Sequence, residues 1–356
     1  MALDTYRQLV NADENFLICP YSLTATTAML YLATSGETQQ QLGLSTRFAD
    51  LPTKRLVSQA RSASQLWASR GKGVTLHNRQ EVQHTPNVTL KPAYLETLRA
   101  TWGTTVQPLE PSDSTTAQVN LTGEVDFDGK WLTAFDATWT RDTEFHGLSG
   151  QRETVRTMRV ESDFSYQELA DLNARAVSIP YRGGLLELVV LLPDATDGIL
   201  ALEQQLSPAL LNRINPTTPA KVDLFLPRFD LNSLLELEGV LRHWGTVRLF
   251  QDDAEFDGML ANRPADASSI RTSGTQEASM SVTEEGTIAQ AITRYEVRIF
   301  SDGHPTIQPV KFVVDHPFLV LLRDTRTRRI LFLGRVTHPG YTPADVAPQK
   351  RPTLMD

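Results

Sequence analysis

Nine residues in the first half of the chain leave little choice of local structure. From Val119 to Phe127, the apolar Val119, Leu121, Val125 and Phe127 alternate with the polar Asn120, Thr122, Glu124 and Asp126. Side chains of a strand point alternately to opposite faces, so this stretch predicts a strand with one face on a core and one in water. A second stretch is harder to settle. Glu284-Glu285-Gly286 leads into Thr287, Ala289, Ala291 and Thr293 on one face and Ile288, Gln290 and Ile292 on the other. Small and β-branched residues alternate there as in a strand. The next residues, Arg294 to Pro309, carry large side chains and no turn signal until Asp302-Gly303. That is the pattern of a long loop joined to a strand-competent segment.

The rest of the chain mixes helical and strand patterns. Helices are expected over Ala2 to Val10, Tyr21 to Thr34, Glu37 to Leu42, Lys91 to Trp102, Gly198 to Ile214 and Ser233 to His243, with a short one between Arg47 and Ala63. Strands are expected at Phe16 to Cys19, Gln65 to Ala68, Thr104 to Leu109, Lys221 to Leu226, Pro317 to Arg323 and Ile330 to Val336, and as a pair within Ala174 to Asp194. Asn262 to Gly274 reads as a polar loop. The chain mixes helices and strands, its 356 residues allow one large domain or two ordinary ones, and 340–356 reads as a loose tail.

Composition excludes several function classes. With 40% hydrophobic and 21% charged residues the chain can bury a sizeable core. A formal net charge of −8 argues against non-specific binding to nucleic acid. No apolar run reaches membrane-spanning length, so no membrane partner is expected. The N-terminus has neither a basic region nor a long apolar core, which predicts a cytoplasmic protein or one exported without such a signal. One cysteine, Cys19, rules out an internal disulfide.

The motifs of catalysis are missing: no His-Glu-x-x-His, no Gly-x-Ser-x-Gly, no phosphate-binding glycine loop, no cysteine–histidine cluster. His146 and His316 sit beside Phe145 and Pro317-Phe318 and read as structural. The pairs Asp252-Asp253 and Glu284-Glu285 lack a partnered base or metal spacing and read as solvated or salt-bridged. The chain is therefore not expected to be an enzyme, and no cofactor or metal is expected.

A set of ordered segments points elsewhere. Asn15-Phe-Leu-Ile-Cys-Pro-Tyr-Ser-Leu and Ala28-Met-Leu-Tyr-Leu-Ala-Thr-Ser-Gly-Glu-Thr come first. Phe127-Asp-Gly-Lys-Trp, Ile179-Pro-Tyr, Leu191-Leu-Pro-Asp, Leu226-Pro-Arg-Phe and Phe256-Asp-Gly-Met come next. Asp315-His-Pro-Phe-Leu and Phe332-Leu-Gly-Arg-Val-Thr-His-Pro close the series. In this order and spacing they resemble the serpins. The resemblance implies a single α+β domain over 1–339, followed by a tail over 340–356, with three β-sheets, about eight helices and an exposed reactive-centre loop. It also implies a monomeric, metastable inhibitor that forms a covalent acyl complex with a serine protease. After cleavage its loop inserts as an extra strand of the main sheet. A non-inhibitory serpin acting as a binding, carrier or chaperone-like protein is the alternative.

On this resemblance Glu284, Glu285, Gly286, Thr287, Ile288, Ala289, Gln290, Ala291, Ile292 and Thr293 form the hinge. Thr287, Ala289, Ala291 and Thr293 would face the core side of the sheet, where small residues insert without steric cost. Counting from Glu284 by the spacing usual in inhibitory members sets the bait bond at Phe300–Ser301, which suits a chymotrypsin-like protease with an apolar slot. Arg298, for a trypsin-like protease, and Asp302 remain alternative bait residues. Arg228 is expected beside Glu284 at the top of the sheet. Cys19, Ser22, Gly123 and Gln276 fall at the shutter, where the family usually has Ser at 19, Asn at 123 and His near 276. The network there is expected to be rebuilt or weakened. Finally, the helix that usually covers the main sheet has no counterpart between Leu109 and Val119, so the polar face of Val119 to Phe127 is expected to be bare.

Overall fold

A computed structural model describes residues 3, 6, 14–68, 73–110, 117–262, 270–287 and 308–340. In chain order its strands are β1 (Phe16–Ile18), β2 (Val74–His84), β3 (Thr89–Leu90), β4 (Thr105–Pro108), β5 (Ala117–Lys130), β6 (Arg141–His146), β7 (Arg152–Leu169), β8 (Ala174–Pro180) and β9 (Leu186–Pro193). They continue as β10 (Thr218–Pro227), β11 (Phe229–Glu236), β12 (Leu260–Asn262), β13 (Ile270–Val282), β14 (Gly286–Thr287), β15 (Val310–Val313), β16 (Phe318–Asp324) and β17 (Ile330–Val336). Seven α-helices lie among the described residues: α1 (Pro20–Ala33), α2 (Gly36–Thr46), α3 (Thr53–Ala68), α4 (Pro92–Trp102), α5 (Ile199–Gln205), α6 (Pro208–Arg213) and α7 (Leu237–His243).

The strands form three sheets. One has six strands in the order β11-β13-β14-β5-β2-β4, one has nine, running β1-β17-β16-β9-β8-β7-β10-β15 with β6 on β7, and β12 pairs with β3. Between the two large sheets lies a core of Val125, Phe127, Ala278 and Met280 from one side and Val177, Val190, Leu224 and Phe332 from the other. A second core joins α1, through Leu23, Met29 and Leu30, to Val82, Val119 and Leu121 of the six-stranded sheet. A third packs α5 and α6 on the far face of the nine-stranded sheet, around Leu191, Leu319, Ile199 and Leu210.

Local chemistry explains most element boundaries. Pro20 opens α1, where its missing N–H costs nothing, and the Cys19 thiol accepts from the Ser22 N–H at 3.5 Å. Helix α1 is buried almost throughout, so it has no polar face to set its direction. Helix α4 ends at Gly103, which adopts φ 68° and leaves the helix in the left-handed region.

Five expectations are corrected. Gly198 to Ile214 is two helices rather than one, because Pro208 cannot donate and the Ser207 hydroxyl caps a new start by accepting from Leu210 at 3.1 Å. Ser233 to His243 is helical only from Leu237. Before that, Phe229, Leu231 and Leu235 face the core from β11, held by pairing with β13. Gln65 to Ala68 ends helix α3 and is not a strand, so the helix expected between Arg47 and Ala63 starts within that span, at Thr53, and runs longer than expected. The polar stretch up to Gly274 is a strand from Ile270 onward, because β5 pairs with it in register. Strands β2 and β7 were not expected, since neither shows clean alternation. Ala2 to Val10 lies, apart from residues 3 and 6, outside the described residues. No helix among the described residues is long and apolar enough to cross a membrane.

The outer face of the six-stranded sheet is polar across its width. Residues Asn120, Thr122 and Glu124 of β5 are half-buried beside the exposed Arg79 of β2 and Glu277 of β13. Cross-strand contacts lace this face. Arg79 meets Glu124 at 3.5 Å, Ser273 donates to Asn120 at 2.9 Å, and Thr275 to Thr122 at 3.4 Å. Between β4 and β5 the chain has only residues 109–116, of which 111–116 are outside the described set. Among the described residues no helix covers this face, while α1 lies beneath the sheet. A strand face that must meet water carries hydroxyls, amides and paired charges, which is what is found.

Candidate functional site

The site is the seam between β5 and β13. These strands run parallel and pair over ten positions, from Ala117 with Ile270 to Asp126 with Ser279. Beyond Asp126 they splay, and β14 enters between them. Thr287 pairs with Val282 of β13 and with Gly129 of β5, and Gly286 pairs with Lys130. The entry is a tight hairpin in which the Gly286 carbonyl accepts from the Thr283 N–H at 2.8 Å and its hydroxyl at 3.1 Å. Only glycine fits at 286. A Cβ there would stand 2.0 Å from the Gly129 carbonyl oxygen, inside any real contact distance.

Thr287 is fully buried, and its hydroxyl lies 2.7 Å from that of Tyr181. Burial pushes the Tyr181 phenol far above its usual pKa, so it stays a neutral hydroxyl that can donate or accept. The Tyr181 ring stacks on Trp131 at 4.5 Å and takes the edge of Phe127 at 5.0 Å. The Trp131 indole N–H donates to the Thr283 carbonyl at 2.8 Å. Phe127 and Trp131 of the Phe-Asp-Gly-Lys-Trp segment thus build, with Tyr181, an aromatic socket around Thr287 and the turn that precedes it.

Glu284 and Glu285 are held from the same side. The carbonyl of Glu285 accepts from the Trp131 N–H and that of Glu284 from the Phe135 N–H, both at 2.9 Å. The Glu284 carboxylate accepts from the Thr140 hydroxyl at 2.8 Å and lies 3.7 Å from the Arg228 guanidinium. It is a bound group and not a solvated one. With Arg228 half-exposed, the ion pair itself contributes little, and the Thr140 hydrogen bond fixes the geometry.

Farther down the seam, Gln276 of β13 clamps the N-terminus of α1. Its side chain accepts from the Cys19 N–H at 3.1 Å and donates to the Cys19 carbonyl at 2.7 Å. Gly123 of β5 lies over Ser22 and Thr26, and a Cβ there would come within 2.4 Å and 2.5 Å of their hydroxyl oxygens. Gln80 of β2 accepts from Thr26 at 3.1 Å and makes a longer contact to Ser22 at 3.5 Å. Cys19, Ser22, Gly123 and Gln276 are therefore neighbours, joined by Gln80 and Thr26, which sequence reasoning missed. The available signal was an amide at Gln80, two positions before Val82 on the inward side of β2.

Residues Ile288, Ala289, Gln290, Ala291, Ile292, Thr293, Arg298, Phe300, Ser301 and Asp302 lie outside the described residues. His316 is buried, hydrogen-bonded to Asp315 and the Pro193 carbonyl at 2.8 Å each, and its bond holds the Asp315 carboxyl below the usual range. No cluster of His, Cys, Asp and Glu able to hold a metal occurs among the described residues.

Known proteins resemble this chain in sequence and in fold. Iripin-2 of Ixodes ricinus is 28% identical over 360 residues, covering 91% of this chain and 88% of that protein. Serpin B3 of Homo sapiens is 32% identical over 222 residues, 62% of this chain and 55% of that one. Among solved structures, Serpin48 of Tenebrio molitor superposes with a TM-score of 0.78 at 22% identity, covering 95% of each chain. Thyroxine-binding globulin complexed with thyroxine gives 0.81 at 18% identity, covering 95% of this chain and 96% of that one. The sequence model of the family described as Serpin (serine protease inhibitor) matches residues 1–122 and 113–339. The two stretches overlap at 113–122, where the chain passes into β5. With that match spanning nearly the whole chain, this chain belongs to the serpin family.

Proposed function

We propose that the chain inhibits a chymotrypsin-like serine protease as a suicide substrate, with Phe300–Ser301 as the bait bond. The observation that carries the reading is the seating of Gly286 and Thr287 between β5 and β13. On insertion, continuing that antiparallel register would set Ala289 opposite Phe127 and Met280, Ala291 opposite Val125 and Ala278, and Thr293 opposite Gly123 and Gln276. All six partners are buried, so the inserting face meets positions that accept only small side chains. Ile288 and Ile292 would emerge opposite Asp128 and Glu124 on the polar outer face, where no close packing constrains them.

Each inserted residue loses about 1–2 kcal/mol of backbone entropy. A net hydrogen bond returns about 1 kcal/mol, so insertion must be driven by side-chain burial and by strain released from the native state. The protease would be caught as the acyl-enzyme on Phe300 and carried along before its own Ser-His-Asp chemistry hydrolyses the ester.

Incubation with a panel of serine proteases tests this. The expected result is an SDS-resistant complex with a chymotrypsin-like member and a released C-terminal fragment that begins at Ser301. A fragment beginning at Ile299 or Gly303 would move the bait to Arg298 or Asp302 and change the protease class. Cleavage without any complex would favour the binding or carrier reading, the one that thyroxine-binding globulin represents by its bound thyroxine.

A further inference from the structure

Where β6, β7 and β10 run side by side, Leu224 and Leu226 face the core and Phe225 between them faces away. On that outer side lies a cleft of about 320 Å³ lined by Trp139, Arg141, Thr143, Thr157, Arg159 and Phe225. Its volume is at the small end of the roughly 300–1,000 Å³ usual for ligand sites. None of the residues that hold β14 lines it.

Two rings and a guanidinium build its walls. Arg159 stands opposite Phe225 in the β7–β10 ladder, and its guanidinium lies 5.2 Å from the centre of that ring and 5.4 Å from the centre of Trp139. Asp223 binds Arg159 twice, at 2.8 and 3.0 Å, which neutralises its charge and fixes its plane. Trp139 ends a short turn, Ala137–Trp139, capped by the Asp136 carboxylate, which accepts from the Thr138 N–H at 2.8 Å. On this braced turn the tryptophan stays 48% exposed, and a large apolar side chain held open to water is the informative exception on a protein surface.

Beside the rings, two cations keep their charge. Arg141 donates to the carbonyls of Thr138 at 2.5 Å and Thr140 at 2.9 Å, which orient its guanidinium without cancelling it. Lys311 of β15 lies 5.5 Å from the centre of the Phe225 ring and faces Asp223 across the ladder, but that carboxylate is committed to Arg159. Neither cation has a carboxylate within ion-pair distance among the described residues. Their neighbours do: Arg156 pairs with Asp142, Arg152 with Glu144 and Lys221 with Glu161. The Thr143 and Thr157 hydroxyls stand 2.6 Å apart, so one proton lies between them and the other is left to donate.

We infer that this cleft binds a small planar aromatic anion, one or two rings bearing a carboxylate or sulfonate. The rings lie against Trp139 and Phe225, and the anionic group meets Arg141 and the remaining threonine proton. Lys311 adds to the positive potential at the site. A neutral aromatic leaves Arg141 without a counter-charge, and an aliphatic anion forgoes the stacking. Binding here stands apart from the bait loop and holds whether or not the chain traps a protease.

Isothermal titration calorimetry of the full chain with 2-naphthoate tests the site, with 2-naphthamide as the neutral counterpart. One saturable site is expected, at which the amide binds about tenfold more weakly or worse. Trp139→Ala and Arg141→Gln should each weaken naphthoate binding about tenfold, and Lys311→Met about threefold. Arg213→Gln, beyond the opposite end of β10 and paired with Asp171, should leave it unchanged. Trp139 and Lys311 are solvent-facing, so their variants decide the matter even if Arg141→Gln disturbs the turn. Equal binding of naphthoate and naphthamide would overturn the inference. So would full affinity in the Trp139→Ala variant, or no saturable binding of naphthoate to the wild-type chain.

Discussion

The hydroxyl pair of Thr287 and Tyr181 holds β14 in the sheet, and its contribution can be isolated by a double-mutant cycle. Both residues are fully buried, and their oxygens stand 2.7 Å apart. Thr287→Val keeps the shape and leaves the Tyr181 hydroxyl without its partner. Tyr181→Phe does the reverse. Each single change should cost about 1–3 kcal/mol, the penalty for an orphaned buried hydroxyl. The double variant should cost less than the sum, because two apolar groups of the same shape leave nothing unsatisfied. A coupling of about 1–2 kcal/mol is expected, within the usual range for residues in direct contact. The readout is amide exchange of 283–287 together with chemical denaturation. A hinge that leaves the sheet locally will show the loss in exchange first, with global stability falling no further than the hinge's own docking energy. Strictly additive single effects would refute the reasoning, because they would mean the two hydroxyls do not support each other.

Three more outcomes are expected. Gly123→Ala forces a methyl group to within 2.4 Å of the Ser22 hydroxyl, so it should lower stability by about 1–3 kcal/mol, read as a fall in melting temperature. Ser22→Gly in the same chain should recover part of that loss. Arg228→Ala removes only a half-exposed ion pair at 3.7 Å, and should change stability by less than about 1 kcal/mol, whereas Thr140→Val should loosen the hinge more. Asp315 has its pKa lowered by the hydrogen bond to His316, so its stabilisation is present above the usual carboxylate range. It is lost as pH falls through the depressed value, and Asp315→Asn should flatten the acid side of a melting-temperature profile.

The strands with one wet face, the proline-started helices and the glycine that ends α4 were legible because period, capping and φ preference are local properties. The break at Ser207-Pro208 was local too, and a stricter reading of proline would have found it. Strand β2 was not legible. Its outward residues are polar, with Arg79 and Glu81 charged, its inward Gln80 is polar too, and only the ladder with β5 makes it a strand. Ser233 to Glu236 has acceptable helical spacing, but pairing with β13 outweighs that preference. At the hinge, the sequence pattern identified small residues on one face, and it could not reveal that Gly286 and Thr287 are already seated.

The order and spacing of its motifs make the chain recognisable as an α+β serpin, with small residues alternating from Thr287 to Thr293 and no side chain at 123. They also determine that the span from Leu109 to Val119 is too short for the usual covering helix. Which residue answers the missing side chain was decided only in three dimensions. Gln80 lies 43 positions before Gly123 in the chain, yet both meet Ser22 and Thr26. Hydrogen-bond partners are chosen by where strands and helices pack, and a sequence records the donors without the distances between them.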